Sequence, residues 1–395
     1  MKSWAKIFLG GFILLSLISL MGYYDYIKSQ VYLNEPLWSL NGFTNGGLIR
    51  GKFYGDKLVV VETNLSIFSN EGSIIMMFSE KGELLRRFKT EFKVYSFTIA
   101  NNILFVSELK ILNVEGSTIR TQSFVSAYSL DGKLLWRQNA SALILAYSNG
   151  RIFGIDKGKI FALDTNGNLL WRKAVEGNPY RILSCENLII VSTENMRKRK
   201  YEVLAFSSSG DFLWKLENDV SALDTNCHRI LMRGNNWYGL FDMNGNELWM
   251  KEISPKNQVI FKKDEISFYN FYAHIDSNGN VYLSEADSFT ILDNDGNIIA
   301  HYNMPIGYFQ ISPDGKFIFD GYRVFVNPLY DKDHDKIPDD EDVIPINNEL
   351  LYQLSVAFGI SFVFASLHGW REKGKGRRAH EEYLKLKKKL ERRLL

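Results

Sequence analysis

Several signatures of common enzymes and nucleic-acid-binding proteins are missing from this chain of 395 residues. Its formal net charge is only +2, so the chain as a whole lacks the positive excess that attracts nucleic acid. None of its six histidines forms a His-x-x-x-His or His-x-His pair of the kind that holds zinc. Neither a Gly-x-Ser-x-Gly elbow nor a glycine-rich phosphate loop is present. We therefore expect no enzymatic activity and no nucleic-acid partner.

Cysteine is also scarce, because the chain contains only Cys185 and Cys227. Both residues fall near predicted turns of neighbouring repeats. A disulfide between them and a pair of buried or free thiols both fit this placement.

What is present is a short repeated phrase in which a turn glycine is followed by Leu-Trp. A polar-glycine pair between apolar, β-branched and aromatic runs indicates a tight turn between two strands, because glycine adopts φ > 0 without steric cost. Clear copies lie at Ser129–Arg137, Thr165–Arg172, Ser209–Lys215 and Asn244–Met250, and weaker copies, with Arg86 and Ala300 in place of tryptophan, at Lys81–Arg86 and Asp295–His301.

The spacing of these phrases predicts a β-propeller of four-stranded antiparallel blades. The copies recur roughly 35 to 51 residues apart, which is the period of a propeller blade. Between them the chain alternates apolar and polar residues in short runs, as in Arg151–Asp156, which is typical of strands and excludes helical repeats. We name the strands of each blade A to D, and strand D begins at the tryptophan.

The first and last repeats complement each other. Gly307–Ser312, Lys316–Asp320 and Tyr322–Val326 supply strands A, B and C of a final blade without a strand D. Pro36–Leu40 contains the Leu-Trp of a strand D with no A, B or C before it. Pairing of the two would close the ring and remove an exposed sheet edge. The sequence therefore predicts seven blades, with six or eight as alternatives.

The repeats resemble those of the pyrroloquinoline-quinone (PQQ)-like propeller family, from Leu37 to Val326. This family includes quinoprotein dehydrogenases and the non-enzymatic propeller lipoprotein of bacterial outer-membrane assembly. The quinoproteins characteristically place two adjacent cysteines against their cofactor, and this chain has no such pair. We therefore expect the non-enzymatic branch and no PQQ. The indoles of Trp136, Trp171, Trp214 and Trp249 are expected to dock each blade on the next.

Both ends of the chain carry apolar runs. Ile7–Met21 follows basic residues and precedes several tyrosines, which favours an uncleaved membrane anchor, with a cleaved signal peptide as the alternative. Leu350–Trp370 forms a second run, and the basic segment Arg371–Arg378 follows it. The positive-inside rule then places both termini in the cytoplasm and the propeller outside the cell membrane. The predicted segments are an anchor (1–28), the propeller (29–330), an acidic loop (331–345), a second transmembrane helix (346–370) and a basic cytoplasmic tail helix (371–395).

The order of strands also assigns the two faces of the ring. The A–B and C–D turns lie on one face, here called the turn face, and the B–C and D–A connections lie on the opposite, distal face. Since the chain enters at the start of a strand D and leaves at the end of a strand C, both anchors belong to the turn face. The distal face then points away from the membrane.

Two B–C connections are candidates for a binding surface on the distal face. One is Glu108–Gln122 in the second blade, with Glu115-Gly116 at its tip. The other is Glu194–Lys200 in the fourth blade. The basic cluster in the latter would suit an acidic protein or a polysaccharide, and a solvated hairpin tip is the alternative. Its members are Arg197, Lys198, Arg199 and Lys200.

An acidic segment, Asp331–Asp342, has the oxygen-ligand spacing of an EF-hand-like calcium loop. It resembles the thrombospondin type 3 repeats, which bind calcium. Lys336 departs from the pattern because it replaces the turn glycine, and Asp342 is shorter than the usual glutamate. A weakened Ca²⁺ site is expected, and a solvated acidic linker is the alternative. The expected ligands are Asp331, Asp333, Asp335, Ile337 through its carbonyl, Asp339 and Asp342.

These features predict a membrane-tethered scaffold at the cell envelope. Membrane lipid would contact both ends of the chain, and an envelope protein or glycan would contact the distal face. Two other functions remain open: an extracytoplasmic enzyme of the quinoprotein-like class, which would need a polar cluster in the central channel, and a transmembrane sensor. A sensor would signal through the basic amphipathic helix predicted at Ala379–Leu395.

Overall fold

The computed structural model describes the propeller and part of the C-terminal tail. The described residues are 36–341 and 371–388, except for 45, 65, 67–68, 116–117, 141, 143–144, 196–199, 218, 253–260, 263–264, 267–271, 286–287, 304–305, 332–335 and 372–373. The predicted membrane segments Ile7–Met21 and Leu350–Trp370 lie outside them. Pro36–Asn327 forms one compact unit.

This unit is a ring of seven four-stranded antiparallel sheets, which confirms the predicted propeller. Blades 1 and 2 contain β2 (Leu48–Tyr54), β3 (Lys57–Thr63), β4 (Ile74–Ser79), β5 (Leu84–Lys89), β6 (Lys93–Ala100), β7 (Ile103–Glu115), β8 (Thr118–Ser129) and β9 (Leu134–Gln138). Blades 3 and 4 contain β10 (Leu145–Ser148), β11 (Arg151–Asp156), β12 (Lys159–Asp164), β13 (Leu169–Ala174), β14 (Asn178–Cys185), β15 (Leu188–Asn195), β16 (Lys200–Ser207) and β17 (Phe212–Leu216).

The remaining blades have the same order of strands. Blade 5 contains β18 (Ser221–Thr225), β19 (Arg229–Arg233), β20 (Trp237–Asp242) and β21 (Glu247–Glu252), and blade 6 contains β24 (Tyr272–Ile275), β25 (Val281–Ser284), β26 (Phe289–Leu292) and β27 (Ile298–Tyr302). Between them lies a short hairpin of β22 (Phe261–Lys262) and β23 (Glu265–Ile266). Blade 7 contains β28 (Gln310–Ile311), β29 (Phe317–Phe319), β30 (Arg323–Val326) and β1 (Trp38–Ser39).

Burial follows the position of each strand in its blade. The middle strands B and C are packed on both faces by neighbouring blades, so β3 and β12 are almost continuous runs of buried apolar residues. The outer strands D alternate between exposed and half-buried residues, as in β13. The inner strands A of adjacent blades contact one another around the ring and line the central channel.

The ring closes as predicted, because β1 pairs antiparallel with β30 and serves as strand D of blade 7. Trp38 lies opposite Val324, and Ser39 lies opposite Arg323. The side chain of Leu40, just beyond β1, is completely buried. Within the ring, the start of β1 and the end of β30 both lie on the turn face.

Five tryptophans dock their blade on the next one, as predicted for Trp136, Trp171, Trp214 and Trp249. Each indole N–H donates a hydrogen bond of 2.7 to 3.1 Å to a backbone carbonyl in the C–D turn of the following blade. The glycine of that turn leaves room for the indole, since a Cβ at Gly167 would lie 2.8 Å from the Trp136 side chain. The donor and acceptor pairs are Trp38–Glu80, Trp136–Thr165, Trp171–Ser208, Trp214–Met243 and Trp249–Asn294.

In the C-terminal tail, helix α1 covers residues 374–388, and its residues are exposed. This helix overlaps the predicted tail helix at Ala379–Leu395. None of the described helices is long and apolar enough to cross a membrane.

Candidate functional site

The B–C connection of blade 2 differs from the prediction, because most of Glu108–Gln122 is strand and not loop. β7 and β8 pair with each other as far as Glu115 and Thr118, whereas β6 pairs with β7 only up to Leu109. The part of the hairpin beyond Leu109 is therefore two-stranded and projects on the distal face. Alternating apolar and polar residues continue through this segment, which explains why it stays extended.

This projecting hairpin is held by blade 1 and is apolar near its end. The side-chain amide of Asn70 donates to the carbonyl of Ile111 at 2.7 Å and accepts from the Ile111 N–H at 2.8 Å. Leu112 is 55% exposed and Ile119 is 40% exposed. The distal face therefore presents a positioned two-stranded arm with exposed aliphatic side chains.

The basic cluster of blade 4 falls mostly outside the described residues. Arg197, Lys198 and Arg199 are not described, and Lys200 is exposed at the start of β16, opposite Asn195. The structure therefore places one member of the predicted cluster at the distal end of blade 4.

The calcium-type loop is described in part. The buried carboxylate of Asp331 accepts a hydrogen bond from the Lys336 N–H at 2.9 Å, and Lys336 has φ of 74° at the position where the loop pattern has glycine. The Asp339 N–H donates to the Tyr330 carbonyl at 2.6 Å, and Ile337 is exposed. Asp333, Asp335 and Asp342 lie outside the described residues. Within the described part of the chain, no three His, Cys, Asp or Glu side chains are grouped so as to hold a metal ion.

The central channel contains a polar cluster that sequence reasoning did not assemble. The Asp224 carboxylate lies 2.8 Å from Nδ1 of His274, and Nε2 of His274 lies 3.1 Å from the side-chain amide nitrogen of Gln310. Asp224, His274 and Gln310 belong to the inner strands of blades 5, 6 and 7, respectively. Asp224 also accepts from the backbone N–H of Ile275 at 3.2 Å. Both ring nitrogens of His274 are therefore engaged, and the cluster joins three consecutive blades.

A β-bulge places Asp224 in this cluster. The pairing of β18 with β19 shifts between Ala222 and Asp224, so Leu223 is the extra residue. The same shift occurs in β6 before Ser96 and in β14 before Arg181. The displaced side chains reach the next inner strand: the Ser96 hydroxyl accepts from the Leu145 N–H at 3.1 Å, and Arg181 donates to the Leu223 carbonyl at 2.9 Å. The bulge recurs at the same place in these three inner strands, so an alignment of the repeats is the sequence signal that could have revealed it.

A second charged cluster, in blade 2, is also absent from the sequence-based predictions. Glu108 is completely buried and accepts hydrogen bonds from Ser126 at 2.5 Å, Tyr128 at 2.8 Å and Arg137 at 3.0 Å. Burial, followed by the Glu108 carboxylate, raises the pKa of Tyr128. Burial opposes the charge on Arg137, yet Glu91 and Glu108 hold its pKa above the usual value.

The two cysteines form a disulfide, which resolves the alternative left open by the sequence. Cys185 ends the inner strand β14 of blade 4, and Cys227 lies in the A–B turn of blade 5. Their Cα atoms are 5.2 Å apart, a usual separation for a disulfide. The bond joins two neighbouring blades on the turn face.

Comparison with known proteins gives a partial family match. The sequence family described as outer membrane protein assembly factor BamB matches residues 121–287, which is less than half of the chain. This match and the seven four-stranded blades fit the resemblance to PQQ-like propellers. Among curated proteins, no match was found.

Several solved structures are similar to this chain. BamB from Moraxella catarrhalis is 13% identical with a TM-score of 0.44, over 73% of this chain and 96% of that one. The WD40 domain of Pan2 from Neurospora crassa is 12% identical with a TM-score of 0.49, over 74% and 91%. The computationally designed protein Ika8 is 13% identical with a TM-score of 0.46, over 74% and 99%.

Proposed function

We propose that this protein is a non-catalytic scaffold that binds an envelope protein through the distal face of its propeller. The observation that carries the proposal is the difference between the two faces of the ring. Both ends of the ring, Pro36 and Asn327, lie on the turn face, and the projecting β7–β8 hairpin lies on the distal face. The distal face is thus opposite to both ends of the ring, and it carries exposed Leu112 and Ile119.

The partial family match supports this assignment. The matching sequence family is described as an outer membrane protein assembly factor, which is a role in assembling other proteins at the envelope. In the channel, both ring nitrogens of His274 already have hydrogen-bond partners on neighbouring blades. This histidine therefore connects blades of the propeller and leaves neither nitrogen available to a substrate. Both observations favour the non-enzymatic, assembly-type branch of the PQQ-like propellers.

The proposal includes tethering of the propeller to the cell membrane at both ends. It rests on the apolar runs Ile7–Met21 and Leu350–Trp370 and on the basic segments beside them. With the ends of the ring on the turn face, such anchors would direct that face to lipid and the distal face away from it. Glycan binding on the distal face is the alternative to a protein partner.

Site-specific photo-cross-linking in the native membrane tests the proposed surface. A benzophenone side chain at Leu112, on the distal hairpin, should capture a defined envelope protein that mass spectrometry identifies. The matched control is Leu169, which begins β13 near the turn face and is 58% exposed, against 55% for Leu112. Capture of the same protein with equal yield from both positions, or capture from neither, would contradict the proposal.

We also propose that the segment Asp331–Asp342 binds calcium and stiffens the connection between the propeller and the second anchor. The positive φ of Lys336 and its N–H bond to Asp331 support a loop of the expected type. Lys336→Gly should tighten calcium binding, because it removes a backbone strain of about 1 kcal/mol and an opposing ammonium group. Calorimetric titration of the full chain measures this, with Asp335→Asn as the weakened variant. Absence of calcium heat in all three proteins would refute the site.

A further inference from the structure

The inner strands of the propeller carry an excess of positive charge. All seven strands are described, and together they contain four Lys or Arg residues and one Asp or Glu residue. The basic residues are Arg50, Lys52, Lys93 and Arg181, and the acidic residue is Asp224. Lys93 is directed out of the channel, since its ammonium donates to the Ser66 carbonyl in the B–C connection of blade 1. Three cations and one carboxylate therefore remain at the channel wall.

Arg50 and Lys52 extend from β2 towards the channel and blade 2. Gly51 between them faces the other way, because a Cβ there would lie 2.3 Å from the Phe319 ring of blade 7. The Arg50 guanidinium donates to the Tyr95 carbonyl at 2.7 Å, and the Lys52 ammonium lies 5.7 Å from the centroid of the Phe97 ring. Tyr95 and Phe97 belong to β6, the inner strand of blade 2.

The carboxylate of Asp224, on the inner strand of blade 5, also acts electrostatically on the Lys52 ammonium. Burial lowers the pKa of Lys52, and the Asp224 carboxylate counteracts part of this effect, although blades 1 and 5 are not neighbours. Asp224 is already engaged by His274 and by backbone N–H groups. Among the described residues, the Lys52 ammonium has no hydrogen-bond acceptor and no ion-pair partner, so its charge is only partly compensated.

Two tyrosines, Tyr95 and Tyr308, lie near Arg50 towards the distal end of this channel. Tyr308 lies close enough to Arg50 for the two to interact electrostatically, and Tyr272 meets the Tyr308 ring edge-on at 5.7 Å. Burial raises the pKa of Tyr308 to about 12, so its hydroxyl stays protonated at neutral pH. The distal mouth therefore combines a guanidinium and tyrosine hydroxyls above the ammonium of Lys52, and all of these groups can donate hydrogen bonds to an anion.

We infer that the distal mouth of the channel receives an acidic segment of the protein partner, with an Asp or Glu carboxylate directed towards Arg50 and Lys52. This inference deepens the proposed function and rests on it. Incompletely compensated charges in a partly buried site are costly, and an incoming carboxylate would offset that cost. A segment carrying separate single charges also suits a wall that retains Asp224 better than a compact multivalent anion does.

The test uses the purified full chain and two synthetic peptides of matched length, hexaglutamate and hexaglutamine. Calorimetry at about 1 mM peptide and low salt should detect binding of hexaglutamate and none of hexaglutamine. Lys52→Met should weaken hexaglutamate binding at least tenfold. The control is Lys57→Met, which removes the same charge from an exposed side chain paired with Asp56 at 2.9 Å on the turn face. It should change the affinity less than twofold.

Thermal unfolding separates lost binding from lost folding. Lys52→Met should unfold at the same or a higher temperature than the parent chain, because an incompletely compensated ammonium is removed. Equal hexaglutamate binding by the parent and Lys52→Met, or equal binding of the two peptides, would overturn the inference. Citrate binding at least as tightly as the peptide would also overturn it, in favour of a small-molecule site. If Leu112 still captures a protein while hexaglutamate does not bind, the channel inference fails and the proposed function stands.

Discussion

Replacement of Trp38 by alanine should lower the free energy of unfolding by about 3 kcal/mol. This value is at the lower end of the range for replacing a packed tryptophan by alanine, because the Trp38 indole is only partly buried. The indole N–H is bonded to the Glu80 carbonyl at 2.7 Å, and its ring centroid lies 5.2 Å from that of Phe78 in blade 1. These contacts hold a strand of only two residues. Loss of β1 would expose the edge strand β30 of blade 7 to solvent and to other chains.

Trp171→Ala is the matched control for this prediction. Trp171 makes the same type of bond, at 3.0 Å to Ser208, but it lies in β13, a strand of six residues that is continuous with its own blade. Denaturant unfolding should therefore show a larger loss for Trp38→Ala, and hydrogen exchange should accelerate in β30 only in that variant. Equal losses and unchanged exchange in β30 would show that β1 does not hold the ring closed.

Replacement of Arg137 by methionine should cost about 3 to 5 kcal/mol of stability, because it leaves the buried Glu108 carboxylate without its cation. The Arg137 guanidinium bonds to Glu108 at 3.0 Å and to Glu91 at 2.5 Å. It also lies 4.7 and 5.4 Å from the centroids of the Phe92 and Phe124 rings, which stack on each other. The longer hairpin of blade 2 is thus supported at its base by one buried ionic cluster.

A double variant and a surface pair provide the controls for Arg137. Adding Glu108→Gln to Arg137→Met should recover part of the loss, since the unpaired charge is then gone. Arg172→Met, which breaks a more exposed pair with Asp156, should cost less than about 1 kcal/mol. Denaturant unfolding of the four proteins measures these differences. A loss at Arg137 no larger than that at Arg172 would contradict the role assigned to the cluster.

The features that could be predicted from the sequence depend on local patterns. The turn glycine and Leu-Trp mark strand D in each clear copy. In every one of them the tryptophan contacts the turn glycine of the next blade and donates to a carbonyl in that turn. The displaced Leu37-Trp38 predicted ring closure because only one blade lacked a strand D. These inferences needed the order of strands and no knowledge of distant contacts.

The channel cluster was not predictable in this way, because its members come from different blades. Asp224, His274 and Gln310 are 36 or more positions apart in the chain, and each occupies a short inner strand without a motif. Asp224 also depends on a bulge, which shifts side-chain direction without a clear mark in the sequence. Similarly, the Cys185–Cys227 bond required knowing that two A–B turns are adjacent.

The arrangement of the faces depends on ring closure by β1, so a cross-link across that pairing tests the account most directly. Cysteines introduced at Ser39 and Arg323, which lie opposite each other, should join in high yield within one chain when treated with a short thiol cross-linker. Cysteines at Ser39 and Arg151, in blade 3, should not join. Peptide mass spectrometry identifies the linked residues. Failure of the Ser39–Arg323 link, or equal yield from both pairs, would contradict closure by the N-terminal strand and the assignment of the distal face.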